Sequence, residues 1–373
     1  MTGFSLKDHL FNESKVEYLA GLFADKISRF PAKKFVTSVM KKLPMLELKQ
    51  RITWIAEALQ EHLPEHYPSA VEHIVECLPP PLDETKSDDD FGDFIFAPLG
   101  EFVVQNGRQK EHVSVSLRTL KELTKRFSME DSIRYFIREY PRETLKELTG
   151  WSSDRNYHVR RLVSESTRPL LPWSGRIDLT VEQTLPLLDR LHADKTRYVT
   201  RSVANHLNDI AKTQPDLVVK TLKNWQGQGL QTQYELHWMT RHALRTLIKQ
   251  GHQGSLTLLG FNPTPKIQCG EIKIVMADLK PGDTLEFSIE ILANRDEALV
   301  VDYAIDFVKA AGKRSTKVYK ATKLTLKKGE SQTVTKKHKL HAQATTYQLY
   351  PGEHQLTIQI NGQPVGSKSF YLG

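Results

Sequence analysis

The amino-acid sequence predicts a two-domain protein in which a solenoid of paired α-helices is followed by an antiparallel β-sandwich. Three observations lead to this fold class. Apolar residues recur at helical spacing from Ser14 to about Gln250, and part of this region repeats with a period of 40 residues. After Pro263 and Pro265 the apolar residues alternate with polar ones, in short runs separated by turn motifs.

The helical spacing is clear near the N-terminus. One apolar stripe consists of Val16, Leu19, Leu22, Phe23 and Ile27, and a second consists of Leu46, Leu48, Ile52, Ile55 and Leu59. The pattern is interrupted by three prolines at 79–81 and an acidic run at 83–90. Because consecutive prolines cannot continue a helix, we predict an exposed acidic loop here, with helix pairs on both sides.

The 40-residue repeat is visible when the chain is compared with itself. One apolar position recurs at Val159, Val199 and Met239, and a second recurs at Leu123, Val163, Val203 and Ala243. An arginine recurs at Arg161, Arg201 and Arg241, and an aspartate precedes the first two of these repeats at Asp154 and Asp194. An Asp–x₄–Val–x–Arg pattern with a period near ~40 is typical of HEAT repeats. We therefore predict a HEAT-like α-α solenoid over residues 1–262, with a concave surface suited to a long ligand.

The C-terminal region has the texture of short antiparallel strands. Alternating segments lie at Ile272–Met276, Thr284–Leu292, Val300–Val308, Lys323–Leu326, Ser331–Lys336 and His354–Ile360. Turn sequences separate them at Pro281-Gly282-Asp283, Lys328-Gly329-Glu330, Pro351-Gly352-Glu353 and Asn361-Gly362. This spacing predicts an Ig-like β-sandwich over residues 263–373, without the cysteine pair of antibody domains.

The composition favours a polyanionic partner. Lys and Arg total 52 against 44 Asp and Glu, so the net charge is +8 and the pI is near 9.2. Cys77 and Cys269 lie far apart and belong to no Cys/His cluster, so neither a disulfide framework nor a metal site is expected. The N-terminus has no apolar signal segment, and no apolar run reaches the length of a membrane span. We therefore expect a cytoplasmic protein that does not enter membranes. A solenoid that surrounds its ligand needs no partner subunit, so we also expect a monomer.

The most distinctive segment, residues 156–173, has the sequence NYHVRRLVSESTRPLLPW. It resembles the hallmark of the AlkC-type alkylbase DNA glycosylases of bacteria, in which a helix of HVRRLxSE type runs into TRPxLPW. Three further segments are similar to the family: PLGEFV at 98–103, LKELTKRFSME at 120–130 and RHALRTLIKQG at 241–251. The Ig-like domain fits as well, so the resemblance covers nearly the whole chain.

The resemblance implies three catalytic residues, Glu130, Glu165 and Trp173. Downstream of Glu130 the chain departs from the family pattern, which has an aromatic residue, an Ala and a later Pro where this sequence has Asp131, Ser132 and Tyr135. Asp131 could therefore share the role of Glu130 or take it over. From pattern alone, a glutamate on a helix is more often solvated or ion-paired, and a tryptophan after two prolines is more often a packed loop anchor.

Basic residues form two candidate DNA-binding groups. In the helical domain the candidates are Arg155, His158, Arg160, Arg168 and Arg201. Arg161 occupies the repeated position at which an arginine ties neighbouring repeats through Asp154 or Asp194, so Arg160 and Arg168 are the stronger phosphate candidates. In the β-domain, residues 309–339 hold eleven Lys or Arg against one acid, Glu330. A lysine-protected sheet edge explains part of this excess. DNA-backbone contact, for which we predict Lys313, Arg314, Lys317 and Lys320, explains all of it.

The resemblance implies a monofunctional DNA glycosylase that removes N3-methyladenine and N3-methylcytosine from duplex DNA at the bacterial nucleoid, without full base flipping. Such cationic bases leave readily, so the oxocarbenium-like transition state needs a nearby anion, and neither a metal nor an organic cofactor is required. Two alternatives remain open. One is a noncatalytic HEAT-repeat scaffold that binds DNA, and the other is a protein-binding solenoid whose Ig-like domain engages an acidic partner.

Overall fold

The computed structural model describes residues 5–83, 85–86, 88, 91–344 and 347–373. The chain divides into two compact units, one formed by residues up to 210 together with 229–239, and the other by 211–228 together with 240–373. The change from helix to strand falls between Leu258 and Ile267, near the domain boundary predicted at 262/263. The last helices nevertheless group with the strands, because they share contacts with them.

In the described residues from Leu6 to Leu258, the regular secondary structure is helical. In chain order the helices are α1 (Leu6–Leu10), α2 (Glu13–Lys26), α3 (Ala32–Lys42), α4 (Leu48–Gln60), α5 (Tyr67–Glu76), α6 (Ala97–Asn106), α7 (Val113–Thr124), α8 (Glu130–Glu139), α9 (Pro141–Trp151), α10 (Tyr157–Ser166), α11 (Val181–Leu191), α12 (Arg197–Ile210), α13 (Pro215–Gln228), α14 (Gln233–Ala243), α15 (Arg245–Lys249) and α16 (Gln253–Leu258). Within the described ranges, none of these helices combines the length and the apolar character that a bilayer span requires.

The predicted break after α5 is confirmed. No helix is present between Glu76 and Phe94 in the described part of this segment, where Arg126 donates to the carbonyl oxygen of Pro79 at 2.7 Å. Asp83 is exposed as predicted, whereas Asp88 is partly buried and forms an ion pair with Arg201. Glu84, Ser87, Asp89 and Asp90 of the predicted acidic loop lie outside the described residues.

The 40-residue repeat corresponds to every second helix from α10 to α14. Val159, Val199 and Met239 lie on α10, α12 and α14, and all three are fully buried. The repeated aspartates accept backbone hydrogen bonds in the loops that lead into α10 and α12. Asp154 accepts a hydrogen bond from the backbone of Asn156 at 2.9 Å, and Asp194 accepts one from Thr196 at 2.9 Å. The repeat therefore encodes both the buried stripe and, for α10 and α12, the start of the helix.

The C-terminal region forms two sheets. The strands are β1 (Ile267–Cys269), β2 (Lys273–Ile274), β3 (Asp278–Leu279), β4 (Thr284–Ala293), β5 (Glu297–Val308), β6 (Arg314–Leu326), β7 (Ser331–Lys339), β8 (Gly352–Ile360) and β9 (Gln363–Leu372). β4 pairs with β1, β2 and β7, while the second sheet has the order β3-β9-β8-β5-β6. Apolar side chains such as Phe287, Val301 and Leu356 form the core. The antiparallel prediction holds except for β3, which pairs in parallel with β9.

The Asn361-Gly362 turn connects β8 to β9, as the sequence predicts. Both residues have positive φ, 47° and 74°, which is the backbone that a two-residue hairpin turn of this twist requires. The Asn361 side chain also accepts from the Val300 amide and donates to the Asn262 carbonyl, each at 2.7 Å. A Cβ at position 362 would lie 2.0 Å from the Cα of Gly251, so only glycine fits.

Candidate active site

A network of alternating charges connects α8, α10 and α12. Glu130 is the first residue of α8, and its carboxylate pairs with the guanidinium of Arg161 on α10. Arg161 also lies 3.5 Å from Glu165, which is one turn further along the same helix. Glu165 pairs in turn with Arg168 at 2.6 Å, and Arg168 pairs with Asp209 on α12 at 2.9 Å. We call these five residues the charge network.

Glu165 is the buried centre of this network. Its side chain is only 6% exposed, and besides the two arginines it accepts a hydrogen bond from the hydroxyl of Ser202 at 2.7 Å. Burial alone would raise the pKa of Glu165, but the positive charges of Arg161 and Arg168, together with these hydrogen bonds, lower it below its ordinary value. Glu165 is therefore a carboxylate at neutral pH, although it lies inside the protein.

Trp173 has the opposite environment, because it projects into solvent from the loop after α10. Its side chain is 85% exposed, and its backbone has a φ of 67°. A bulky residue seldom adopts this left-handed conformation, which costs of order 1–3 kcal/mol and persists only where the surroundings impose it. An exposed ring of this size on a strained backbone makes Trp173 a candidate functional residue. The loop-anchor alternative requires packing that this exposed ring does not have.

The loop that carries Trp173 is held by α8. The buried guanidinium of Arg134 donates to the carbonyl oxygens of Ser166, Arg168 and Gly175 at 2.9, 2.8 and 2.8 Å. Burial lowers the pKa of Arg134 to about 10, so it remains charged at neutral pH. One arginine thus ties both ends of the loop to the helix that begins with Glu130. The sequence did not predict this role for Arg134. The one feature that could have indicated it is the position of Arg134 among residues of the buried face of α8, such as Ile133 and Ile137.

The structure separates the two carboxylates between which the sequence could not choose. Glu130 is 27% exposed and faces Arg161 and the hydroxyl of Ser128. Asp131 is 52% exposed and accepts a hydrogen bond from the hydroxyl of Ser174 at 2.5 Å, directly after Trp173. Glu130 therefore belongs to the charge network, whereas Asp131 contacts the loop that carries Trp173. Both lie at the positive end of the α8 dipole.

An aromatic cluster borders the charge network. Arg161 lies over the ring of Tyr198 at 4.9 Å, and Tyr198 makes edge contacts with Tyr157, His158 and Phe91. Burial raises the pKa of the Tyr198 phenol, so the phenol is neutral. Neither Tyr198 nor Ser202 was predicted from the sequence, although each lies near a repeated position of α12. Among the described residues, no cluster of three or more His, Cys, Asp or Glu side chains could hold a metal ion.

The structure changes the interpretation of the arginines on α10. Arg160, not Arg161, ties the repeats, since its guanidinium donates to Asp194 at 2.5 and 3.0 Å and to the carbonyl oxygens of Asp154 and Arg155. The prediction that Arg161 pairs with Asp154 or Asp194 is wrong. Arg160 and Arg168 are both buried with carboxylate partners, so neither presents a free charge to a phosphate. Their assignment as DNA contacts loses its geometric basis.

The other predicted DNA contacts are in varied environments. His158 is buried in the aromatic cluster, 4.1 Å from the ring of Tyr157, while Arg155 is exposed. Arg201 is partly buried and pairs with Asp88. In the second unit, Lys313, Arg314 and Lys320 are exposed and Lys317 lies 4.7 Å from the ring of Tyr347, all on or beside β6. β6 is an edge strand, as a lysine-protected edge requires.

His206 makes the stability of this region depend on pH. Its ring is buried on α12, with Nδ1 donating to the Ser164 carbonyl at 3.1 Å and no partner for Nε2 among the described residues. Burial lowers its pKa from 6.5 to about 3. Between these values the unfolded chain binds a proton that the folded protein does not, so the free energy of unfolding decreases as the pH falls.

We expect the wild type to lose about 2 kcal/mol more stability between pH 7 and pH 5 than a His206→Asn variant, which keeps a donor but does not titrate. Urea unfolding at the two pH values measures this difference. Equal losses in the two proteins would contradict the prediction. Because the change in the free energy of unfolding is measured within each protein between the two pH values, the pH-independent cost of the substitution cancels.

Comparison with known proteins places these features in a family context. Residues 107–247 match the family model described as "DNA alkylation repair enzyme", and residues 268–373 match "Uncharacterised protein YhaZ, C-terminal Ig-like domain". The charge network and Trp173 lie within the first match.

Two proteins are similar over nearly their whole length. YhaZ of Bacillus subtilis (strain 168) is 33% identical over 367 residues, which are 97% of this chain and 98% of that protein. The structure of Pseudomonas fluorescens alkylpurine DNA glycosylase AlkC, bound to DNA containing an abasic site analog, is 32% identical with a TM-score of 0.88. That match covers 99% of this chain and 100% of the other.

Proposed function

Because the chain belongs to the AlkC-type family of DNA alkylation repair enzymes, we propose that it is a DNA glycosylase for cationic alkylated bases. It hydrolyses the N-glycosidic bond in duplex DNA and leaves an abasic site. The observation that carries the proposal is the exposed ring of Trp173 at a positive φ, next to Ser174, whose hydroxyl donates to Asp131 in the first turn of α8.

These side chains suit the chemistry of a cationic leaving group. A base that already carries a positive charge departs without strong protonation, so the positive charge develops on the sugar in the transition state. Fixed anions stabilise that charge, and removing a single preorganised electrostatic group from an active site typically costs 10²–10³ in rate. The face of Trp173 attracts the cationic base or the sugar through a cation–π contact worth ~0.5–2 kcal/mol.

The three acidic residues have different parts in this proposal. Glu130 and Asp131 reach solvent and are the candidates for orienting the attacking water, because both are accessible and one adjoins the tryptophan loop. Glu165 is buried, so it acts through its field and by holding Arg161 and Glu130 in place. Its lowered pKa keeps it ionised, which this electrostatic role requires.

We propose N3-methyladenine and N3-methylcytosine as the substrates, engaged while the base remains largely within a distorted duplex. Full extrusion places a base in an enclosing pocket. Trp173 instead projects 85% exposed from its loop, where a base can meet it at the protein surface. For contacts with the DNA backbone we favour exposed basic residues, namely Arg155, Lys313, Arg314 and Lys320.

The test is release of methylated bases from duplex DNA. The protein is incubated with a methylated duplex and with a matched unmethylated one, and the freed bases are identified chromatographically while abasic sites are counted by alkaline cleavage. We expect N3-methyl bases to appear in step with abasic sites, and none from the unmethylated duplex. DNA binding without release above buffer would instead support the noncatalytic scaffold, and absence of DNA binding would support the protein-binding solenoid.

A further inference from the structure

A lysine from a distant helix contacts the backbone of Trp173. Lys49 lies in the first turn of α4, and its ammonium donates to the Trp173 carbonyl oxygen at 2.6 Å. The same ammonium lies 3.5 Å from the carboxylate of Asp131. Lys49 thus connects the two exposed features of the candidate site, although it precedes the region that matches the repair-enzyme model, 107–247.

The first turn of α4 is a firm support for this contact. Glu47 and Gln50 form a reciprocal capping box at the start of the helix. Arg51 is buried, and its guanidinium donates to the carbonyl oxygens of Leu46 and Phe11 at 3.0 and 2.8 Å. Because the backbone on both sides of Lys49 is fixed, its ammonium can hold the loop, even though the side chain itself is 63% exposed.

The strained conformation of Trp173 needs such a contact. Arg134 holds the carbonyls of Ser166, Arg168 and Gly175, and Asp131 holds the hydroxyl of Ser174, so these bonds fix the residues on either side. The bond from Lys49 acts on the carbonyl of Trp173 itself. A left-handed tryptophan persists only when its surroundings over-determine it, and a charge-assisted bond to its own peptide meets that need.

We propose that Lys49 is a positioning residue, which holds Trp173 and Asp131 at a set separation so that the tryptophan face is ready for the cationic base. This inference rests on the proposed glycosylase function. Lys49 does not touch the reacting atoms in this assignment. It acts through Trp173, because a misplaced catalytic group loses rate even when the DNA still binds.

The test compares Lys49→Met with Lys42→Met. Lys42 lies on α3 with its ammonium 3.8 Å from the ring of Trp54, so the control removes the same charge from the neighbouring surface without touching the tryptophan loop. We expect Lys49→Met to lower the single-turnover rate of base release about 5-fold, with the Kd for undamaged duplex changed less than about 2-fold. Lys42→Met keeps the wild-type rate, and Lys49→Arg, which retains a donor, recovers most of the loss.

Two further readouts separate positioning from other roles. A lysine that binds phosphate would weaken binding to every duplex and reduce the slope of log K against log salt by about 0.9, and that result would overturn the proposal. In a Trp173→Gly background the strained peptide is relieved, so Lys49→Met should cause no further loss of rate. An undiminished 5-fold loss there would also overturn the proposal.

Failure of this inference can be distinguished from failure of the proposed function. If the wild type releases no base, the proposed function fails. If the wild type releases base and both lysine variants match its rate, only this inference fails.

Discussion

Replacing Glu165 by glutamine is expected to lower the single-turnover rate of N3-methyl base release by about 100-fold. The substitution keeps the shape of the side chain and its bond with Ser202 but removes a buried negative charge between Arg161 and Arg168. With that charge gone, the charge network changes from three carboxylates against two arginines to two against two, so the field at the site becomes more positive. A positive field opposes the oxocarbenium charge of the transition state, so the loss should be in the chemical step. Rates measured with enzyme in excess over a methylated duplex test this.

Asp209→Asn is the matched control for this variant. Asp209 is also buried and also pairs with Arg168, but it lies at the end of the charge network away from Arg161 and Glu130. Loss of either carboxylate leaves part of a buried charge unpaired and should cost about 3 kcal/mol of stability. Both proteins are therefore assayed at a temperature where circular dichroism shows them folded. We expect folded Asp209→Asn to be slowed much less than folded Glu165→Gln. Similar rates in the two variants would mean that the loss does not depend on the position of Glu165, and the catalytic assignment would then fail.

Replacing Trp173 by alanine should lower the rate of base release by about 30-fold. This factor corresponds to the upper end of a cation–π contact, ~2 kcal/mol, because each 1.4 kcal/mol is about a factor of ten. Stability should be unchanged, since the ring is 85% exposed and its removal leaves no cavity. Base-release rates and urea unfolding of the same two proteins measure the two quantities separately.

Two variants at position 173 distinguish the ring from the backbone. Trp173→Phe keeps an aromatic face, although a weaker one, and should retain most of the rate that alanine loses. Trp173→Gly removes the ring but fits the φ of 67° without strain, so it should be more stable than wild type by about 1 kcal/mol and as slow as alanine. A phenylalanine variant as slow as alanine, or an alanine variant as fast as wild type, would refute the cation–π role.

Local patterns were sufficient for the fold class. The 3.6-residue spacing of Val16, Leu19 and Phe23 corresponds to the buried face of α2. The 40-residue repeat placed Val159, Val199 and Met239 in the core. Turn sequences such as Asn361-Gly362 mark hairpins because Asn and Gly readily adopt the positive φ that such turns require. These features are readable from the sequence because they depend on neighbours a few positions apart or on exact repetition.

The partners of the charged side chains could not be read in the same way. Arg160 and Arg161 are adjacent, yet one pairs with Asp194 and the other with Glu130. Successive helical residues point about 100° apart, so a small rotation of α10 would exchange their partners. The register of the repeat predicted that Arg161 would connect neighbouring repeats. In the packed structure Arg160 makes that connection, through Asp194. For the same reason the sequence could not divide the roles of Glu130 and Asp131.

The sequence by itself determined the helical and sandwich architecture and the segment that holds Glu165 and Trp173. Only the tertiary structure decided that Glu165 is buried between two arginines, that Trp173 is exposed at a positive φ, and that Arg134 and Lys49 hold its loop. The physical reason is range. Helix and strand periodicity come from local backbone geometry. The contacts of Glu165 with Ser202, and of the loop with Arg134 and Lys49, instead join residues 32 to 124 positions apart and exist only once the helices have packed.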